Sequence, residues 1–378
     1  MATNPTKKIF ISDIHMSDAR SQERTAKLYP YGWFHKNIPK LVTFLTAQFN
    51  NPDVAQVVVL GDLFDEWVIP TNQDPLVSFQ AICDCPDNSP VVNALKQLAA
   101  GGRLTYVPGN HDMVLSAAKP DENQKFVETV FPGINLPDDR VYQSDKLVAE
   151  HGNYYCIFNA PDTWTNPSSR LPLGYYMSRL VAYKVNQTGA NQDYHDILKK
   201  FVLEFKDDPN FIEALFLAIA QDANLNGAAP IDMKGIFGFP STVGGIASLY
   251  KHLIDEWRRN RPDLGWELAL IGDIGDLSWA ADHTYFSLFG SDKDIVIFGH
   301  THEADLRKHY ILAAASGVAD IHVDLPCRAI YANSGTWVDT AKPSCTYVET
   351  QIDAAAGRHY VRVKAYPDQT LQEGFVRL

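Results

Sequence analysis

The chain has 378 residues and is 46% hydrophobic and 11% aromatic, enough to bury a large core and longer than one compact domain usually runs, so one catalytic domain with a substantial insertion, or two domains, is expected. A formal net charge of −12 argues against binding to duplex nucleic acid, because no stretch is dense enough in Lys and Arg to offset it; Arg258, Arg259 and Arg261 read as a solvated helix end. The apolar run before Asp13 is too short for a signal peptide, no segment approaches the roughly 20 apolar residues of a membrane span, and the five cysteines are odd in number and scattered, so a reduced cytoplasmic protein is expected.

From residue 7 to about 160 the pattern alternates strand and helix: KKIFIS, the helical stretch NIPKLVTFLTAQF, then QVVVLGD, VVNALKQLAAGG and RLTYVPG. This alternation specifies βαβ units and a largely parallel sheet. Gly101 and Gly102 sit where a helix C-terminus needs them. Each strand stops in a polar cluster. IFIS runs into Asp13 and His15, VVVLG into Asp62 and Asp65, TYVPG into Asn110, His111 and Asp112, and LVAE into His151.

Between about 160 and 290 helical periodicity replaces the strand signal. Ile197, Leu198, Phe201, Val202 and Phe205 form one apolar stripe, and Ile246, Leu249, Leu253, Ile254 and Trp257 another. KGIFGFPSTVGG reads as an irregular loop. IGDIGDLSW repeats a G-D-x-x-D spacing at Asp273 and Asp276, but it lies outside the order of the other clusters and reads as a turn and helix cap. Trp67, Trp164 and Phe237 are candidates for an aromatic pocket lining, although such residues near strand ends more often belong to a core.

Beyond the insertion, IVIFG leads into His300 and His302. RAIYANSGTW, SCTYVETQID and RHYVRVKAY follow as antiparallel strands expected to complete a second sheet, with NSGTW as a loop near the same edge.

Open α/β sheets build their sites at the carboxyl ends of strands, so residues almost 290 positions apart could converge on one centre. An aspartate and a histidine two positions apart project to the same side of an extended chain and could share an ion. Asp62 follows a glycine, and its two oxygens could bridge two metals. Asn110 offers an amide oxygen, leaving His111 for proton transfer. Carboxylate, amide and imidazole without thiolate suit manganese first, with iron or zinc as alternatives, and argue against a structural zinc site.

The ordered set D-x-H, G-D-x-x-D, G-N-H-D, a lone histidine and G-H-x-H resembles the calcineurin-like metallophosphoesterase superfamily. That resemblance implies a four-layer α/β/β/α sandwich of two mixed sheets, built from residues 1–160 and 291–378; residues 161–290 have no counterpart in it, and because they separate the fourth motif from the fifth they are expected to rise over the site as a helical cap, with a peripheral helical lobe packed away from the site as the alternative. It implies two divalent metal ions, one held by Asp13, His15, Asp62 and His302, the other by Asp62, Asn110, His151 and His300. The activity implied is hydrolysis of phosphodiester or phosphomonoester bonds in small molecules by a hydroxide shared between the metals. His111 would stabilise the transition state or protonate the leaving oxygen, Asp112 or another carboxylate would orient its ring, and Asp65 would support the site from behind.

GDLFDEW is nearest in wording to the branch containing UDP-2,3-diacylglucosamine pyrophosphate hydrolases, from which the chain departs at His111, where that branch commonly has arginine, and in its much longer insertion. A pyrophosphate hydrolase is therefore the second reading. A non-catalytic metal-binding scaffold is the third, and a protein phosphatase is disfavoured by the length of the cap.

Overall fold

A computed structural model of the chain describes residues 5–75, 78–113, 120–167, 169–190, 194–233, 241–286, 292–310 and 327–378. Among these, the strands form two main mixed sheets. The first is ordered β13-β12-β11-β1-β2-β3, where β1 is Lys7–Ile11, β2 Val54–Leu60, β3 Leu104–Val107, β11 Thr346–Asp353, β12 Arg358–Ala365 and β13 Gln369–Arg377. The second is ordered β4-β5-β8-β10-β9, with β4 at Tyr142–Ser144, β5 Leu147–Ala149, β8 Ile295–Phe298, β9 Asp305–His309 and β10 Ala329–Asn333. A short antiparallel pair, β6 (Pro230–Ile231) and β7 (Ser241–Thr242), lies in the helical segment between β5 and β8, termed the insertion.

The period-two pattern of the strands dictates the layers. Phe10, Val58 and Leu60 point from the first sheet onto Ile295, Ile297, Ile330 and Ala332 of the second. Their neighbours Ile9, Ile11, Val57 and Val59 point the other way, onto α1 (Ile38–Asn50) and α2 (Ser89–Ala100) through Leu41, Phe44, Leu95 and Leu98. The outer face of the second sheet, Val148, Val296, Phe298 and Tyr331, packs on the helices of the insertion. The result is α/β/β/α. Each fully buried Val, Ile, Leu or Phe contributes about 1.5–3 kcal/mol by leaving water, which is why these runs are apolar on both faces.

The insertion contributes α4 (Leu173–Thr188), α5 (Tyr194–Phe205), α6 (Phe211–Asp222), α7 (Val243–Tyr250), α8 (Leu253–Asn260) and α9 (Trp266–Asp273), while α3 (Pro120–Val130) belongs to the first half. Their core includes Trp33, Trp67 and Met113, so the insertion reaches from the outer face of the second sheet to the strand-end edge. Arg179 of α4 is fully buried and donates to the carbonyls of Ile69, Pro70, Gln73 and Asp232, tying α4 to the segment after Trp67.

Several details differ from the expectations. SCTYVETQID and RHYVRVKAY join the first sheet, not the second, because β1 has an open edge that β11 takes antiparallel, with Phe10 opposite Val348. A further strand, β13, follows them. The second stripe is split between α7 and α8, and Leu249 is 42% exposed. In KGIFGFPSTVGG, Thr242 caps α7 by accepting from the Gly245 N–H, so Val243 to Gly245 are helical; residues 234–240, including Phe237, lie outside the described residues. No helix among the described residues is long and apolar enough to cross a membrane.

Candidate metal centre

Five strands end at one edge and deliver the seven candidate ligands there: β1 supplies Asp13 and His15, β2 Asp62, β3 Asn110, β5 His151, and β8 His300 and His302. All but His302 are buried. Asp13, His15, Asp62, His300 and His302 adopt left-handed φ angles of 53°, 58°, 52°, 71° and 60°. Such conformations cost about 1–3 kcal/mol each in non-glycine residues and persist only where the surroundings over-determine them. Asp and His tolerate them better than most side chains. Here the sharp turns aim five side chains at one point.

Two motif glycines permit the crowding. A methyl group at Gly61, where φ is +82°, would lie 2.5 Å from His151 Nδ1, and one at Gly109 would lie 2.1 Å from Asp62 Oδ1.

Asp62 stands at the centre. Its Oδ1 accepts from the His111 N–H at 2.8 Å, while Oδ2 is 3.3 Å from His151 Nε2 and 3.8 Å from His15 Nε2. On one side, Asp13 Oδ1 lies 3.4 Å from His302 Nε2 and 3.9 Å from His15 Nε2, and the two imidazole nitrogens are 3.1 Å apart. On the other, His151 Nε2 is 2.9 Å from Asn110 Oδ1, while its Nδ1 donates to the Leu60 carbonyl at 2.7 Å, which turns Nε2 toward Asn110 and Asp62. Asp13, His15 and His302 form one group, and Asp62, His151 and His300 another, whose donor atoms lie within 4.8 Å of one another. Asp13 Oδ1 is fully buried and accepts no conventional hydrogen bond. Converging carboxylate and imidazole donors of this kind fit a pair of divalent cations sharing Asp62.

Asp65 lies between His15 and His111. Its Oδ2 is 3.1 Å from His15 Nδ1 and its Oδ1 is 3.1 Å from His111 Nδ1, with the Trp67 and Val68 N–H groups also donating to Oδ1. Asp65 therefore sits against the His111 ring. Asp112 is buried behind the loops instead, where it accepts from the N–H groups of Asp62, Phe64 and Gly109.

Burial alone would raise every carboxylate, but neighbouring imidazoles outweigh it at three of them. Asp13 is brought down to about 2 by the close approach of His302 and by the charge of His151. Asp62 falls well below the carboxylate range beside His151 and His111, and Asp65 is lowered by His111 and His15. Asp112 is pushed by burial and by the charge of Asp62 up to about 7, against the hydrogen bonds it accepts from Gly109 and Phe64. Burial lowers His15, with the charge of His111 adding to it. For His111 and His151, burial is overcome by Asp65 and Asp62, so both are raised, His151 to about 9.

Aromatic rings wall the site. Trp67 stacks on His111 with centroids 4.6 Å apart, and Trp33 leans over His15, His111 and His302 at 5.0, 5.5 and 6.1 Å. Trp67 was a sequence candidate; Trp33 was not, since it sits in a stretch with no periodicity or motif. Trp164 packs instead against Trp257 in the insertion. Among the histidines outside the motifs, His359 is buried in β12 and His322 lies outside the described residues.

Asp273 is not a helix cap. It is fully buried at the end of α9, where Oδ1 accepts from Asn159 Nδ2 at 2.7 Å and Oδ2 from the Phe158 N–H at 3.0 Å. Burial pushes its carboxyl up to about 8. Asp276 fits the turn-and-cap reading, accepting from the Ser278 N–H and hydroxyl.

The chain matches the calcineurin-like phosphoesterase family over residues 6–214, more than half of its length. That span holds the blocks from Asp13 to His151; His300 and His302 lie beyond it. No curated protein matches the chain. Among solved structures, a dimetal phosphatase from Danio rerio is similar at 11% identity with a TM-score of 0.39, covering 99% of each chain.

Proposed function

Because the chain belongs to the calcineurin-like phosphoesterase family, we propose that it is a binuclear metal-dependent phosphoesterase acting on phosphodiester or phosphomonoester bonds of small molecules. The observation that carries this reading is the placement of Asp62 Oδ2 between His151 Nε2 and His15 Nε2, at 3.3 and 3.8 Å. One carboxylate facing two donor groups is what a shared ligand requires.

Asp13, His15, Asp62 and His302 hold one ion in this reading, and Asp62, Asn110, His151 and His300 the other, with manganese ahead of iron or zinc. Bound there, the ions supply Lewis acidity toward phosphoryl oxygens and a nucleophilic oxygen at neutral pH. The protein does the rest. Asp65 engages His111 Nδ1 and leaves Nε2 to deliver a proton to the departing oxygen. The same carboxylate fixes the His15 ring through Nδ1, presenting Nε2 to the ion. Trp67 and Trp33 keep the His111 ring in place and limit water around it. Asp112 holds the backbone of Asp62 and Gly109 in the turn that aims the ligands.

The catalytic unit of this proposal comprises residues 1–160 and 291–378, with 161–290 as a cap-like insertion that joins the outer helical layer to the site's rim. The five buried, unpaired cysteines support placement in the reducing cytoplasm. The test is hydrolysis of an aryl monoester, an aryl diester, a cyclic nucleotide and a UDP-sugar by metal-stripped protein before and after adding manganese, zinc or iron. Activity restored by metal supports the reading, and the preferred substrate separates an ester hydrolase from a pyrophosphate hydrolase. No activity with any metal would refute it and favour a binding scaffold.

A further inference from the structure

We propose that Asp273, from the insertion, is a positioning residue that sets which atom Asn110 presents to the second metal. This rests on the binuclear reading above. Asp273 Oδ1 accepts from Asn159 Nδ2 at 2.7 Å. Asn159 thus directs its NH2 toward Asp273 and its carbonyl the other way, where Oδ1 accepts from Asn110 Nδ2 at 3.3 Å. Asn110 in turn has its NH2 occupied behind, leaving Oδ1 directed into the site, 2.9 Å from His151 Nε2. An amide nitrogen has no lone pair available for a cation, whereas the amide oxygen does. The orientation decides whether Asn110 is a ligand at all.

The relay is built rather than incidental. Asp273, Asn159 and Asn110 are each 2% exposed or less. Gly174, at the start of α4, packs so closely that a methyl group there would lie 2.6 Å from Asn159 Oδ1 and from the Phe158 carbonyl, and its N–H donates to that carbonyl at 2.8 Å. Asp273 also offers an oxygen within 4.8 Å of a His300 ring nitrogen, so one carboxylate of the insertion stands behind two ligands of the same ion. Cys156 completes that group of donors, and burial raises its thiol pKa well above the ordinary value. Residues supporting ligands in this way typically account for about 10–100-fold in metal affinity.

The experiment is calorimetric titration of Mn2+ into the metal-stripped full-length chain, with electron paramagnetic resonance of the loaded protein. Asp273→Asn can offer NH2 in place of an acceptor and lets both amides reverse; Asn159→Ala breaks the relay without changing charge and serves if the first variant folds poorly. Asp276→Asn, three residues away, is the control. Wild type and control should bind two ions with a coupled-pair spectrum. The relay variants should weaken one ion by about 10–100-fold, leave the other within about threefold, and show a single-ion spectrum at sub-saturating metal, with melting of the metal-free protein little changed. Two tight ions in both relay variants would overturn the inference while leaving the binuclear reading intact. Equal weakening of both ions, tracking a loss of folding, would assign Asp273 a purely structural role and also overturn it. Fewer than two ions in the wild type would remove the binuclear reading and the inference with it.

Discussion

The backbone N–H of His111 donates to Asp62 Oδ1 at 2.8 Å, and this bond turns the other oxygen of Asp62 toward His151 and His15. The G-N-H-D turn thereby orients the carboxylate that faces both groups of candidate ligands. Replacing Asp62 with Asn should remove the shared charge, release metal and lower kcat/KM by more than the roughly 100-fold upper range typical of residues that only support a ligand. Metal analysis and steady-state kinetics on one preparation check this.

His111→Ala should behave differently. The seven ligands remain, so two ions should stay bound, while turnover falls by about 10²–10⁴-fold, the usual contribution of a positioned proton donor. Asp65→Asn should resemble it in turnover but also weaken metal binding, because Asp65 Oδ2 orients His15.

Gly109→Ala should be as damaging as losing a ligand. The added methyl group would stand 2.1 Å from Asp62 Oδ1 and 2.6 Å from the Asp62 nitrogen. Metal content should collapse while circular dichroism still reports a folded chain.

Much of this centre was legible in the sequence because the information is local. A β-branched run ending in Asp13 and His15, or in Gly61 and Asp62, states both the strand and the polar residue at its end, and five such statements in order restrict the geometry strongly. What was not legible depends on contacts between distant segments. Asp273 looked like a cap because G-D in a turn is common, and nothing near it names Asn159 as its partner 114 residues away. Trp33 carries no pattern of its own and matters only through the three imidazoles it covers. The sheet assignment of β11 and β12 failed for a related reason: alternation identifies a strand, but which open edge receives it is decided by tertiary packing.

Arg179→Met should destabilise the fold by about 2–5 kcal/mol, since buried carbonyls of Ile69, Pro70, Gln73 and Asp232 would lose a charged donor. Chemical denaturation measures the loss. Limited proteolysis should then cut near residues 69–73 before it cuts elsewhere.

His359 gives an acid-side prediction away from the metals. Burial, with Lys8 adding to it, lowers its imidazole to about 4 from an ordinary value of 6.5. The unfolded chain therefore binds the proton first as pH falls. The stabilisation from keeping the ring neutral is present above about pH 6.5 and is lost as pH drops toward 4, by an amount on the order of a few kcal/mol. His359→Leu should flatten the stability profile over that window, and an unchanged slope would remove His359 as its source.

The most direct test of the central claim is the number of metal ions per chain, measured by elemental analysis across a titration of metal-stripped protein and plotted against hydrolysis of an aryl phosphate ester. Activity should appear only as the second ion binds and saturate at two ions per chain. Full activity in metal-free protein, or saturation at a single ion, would contradict it.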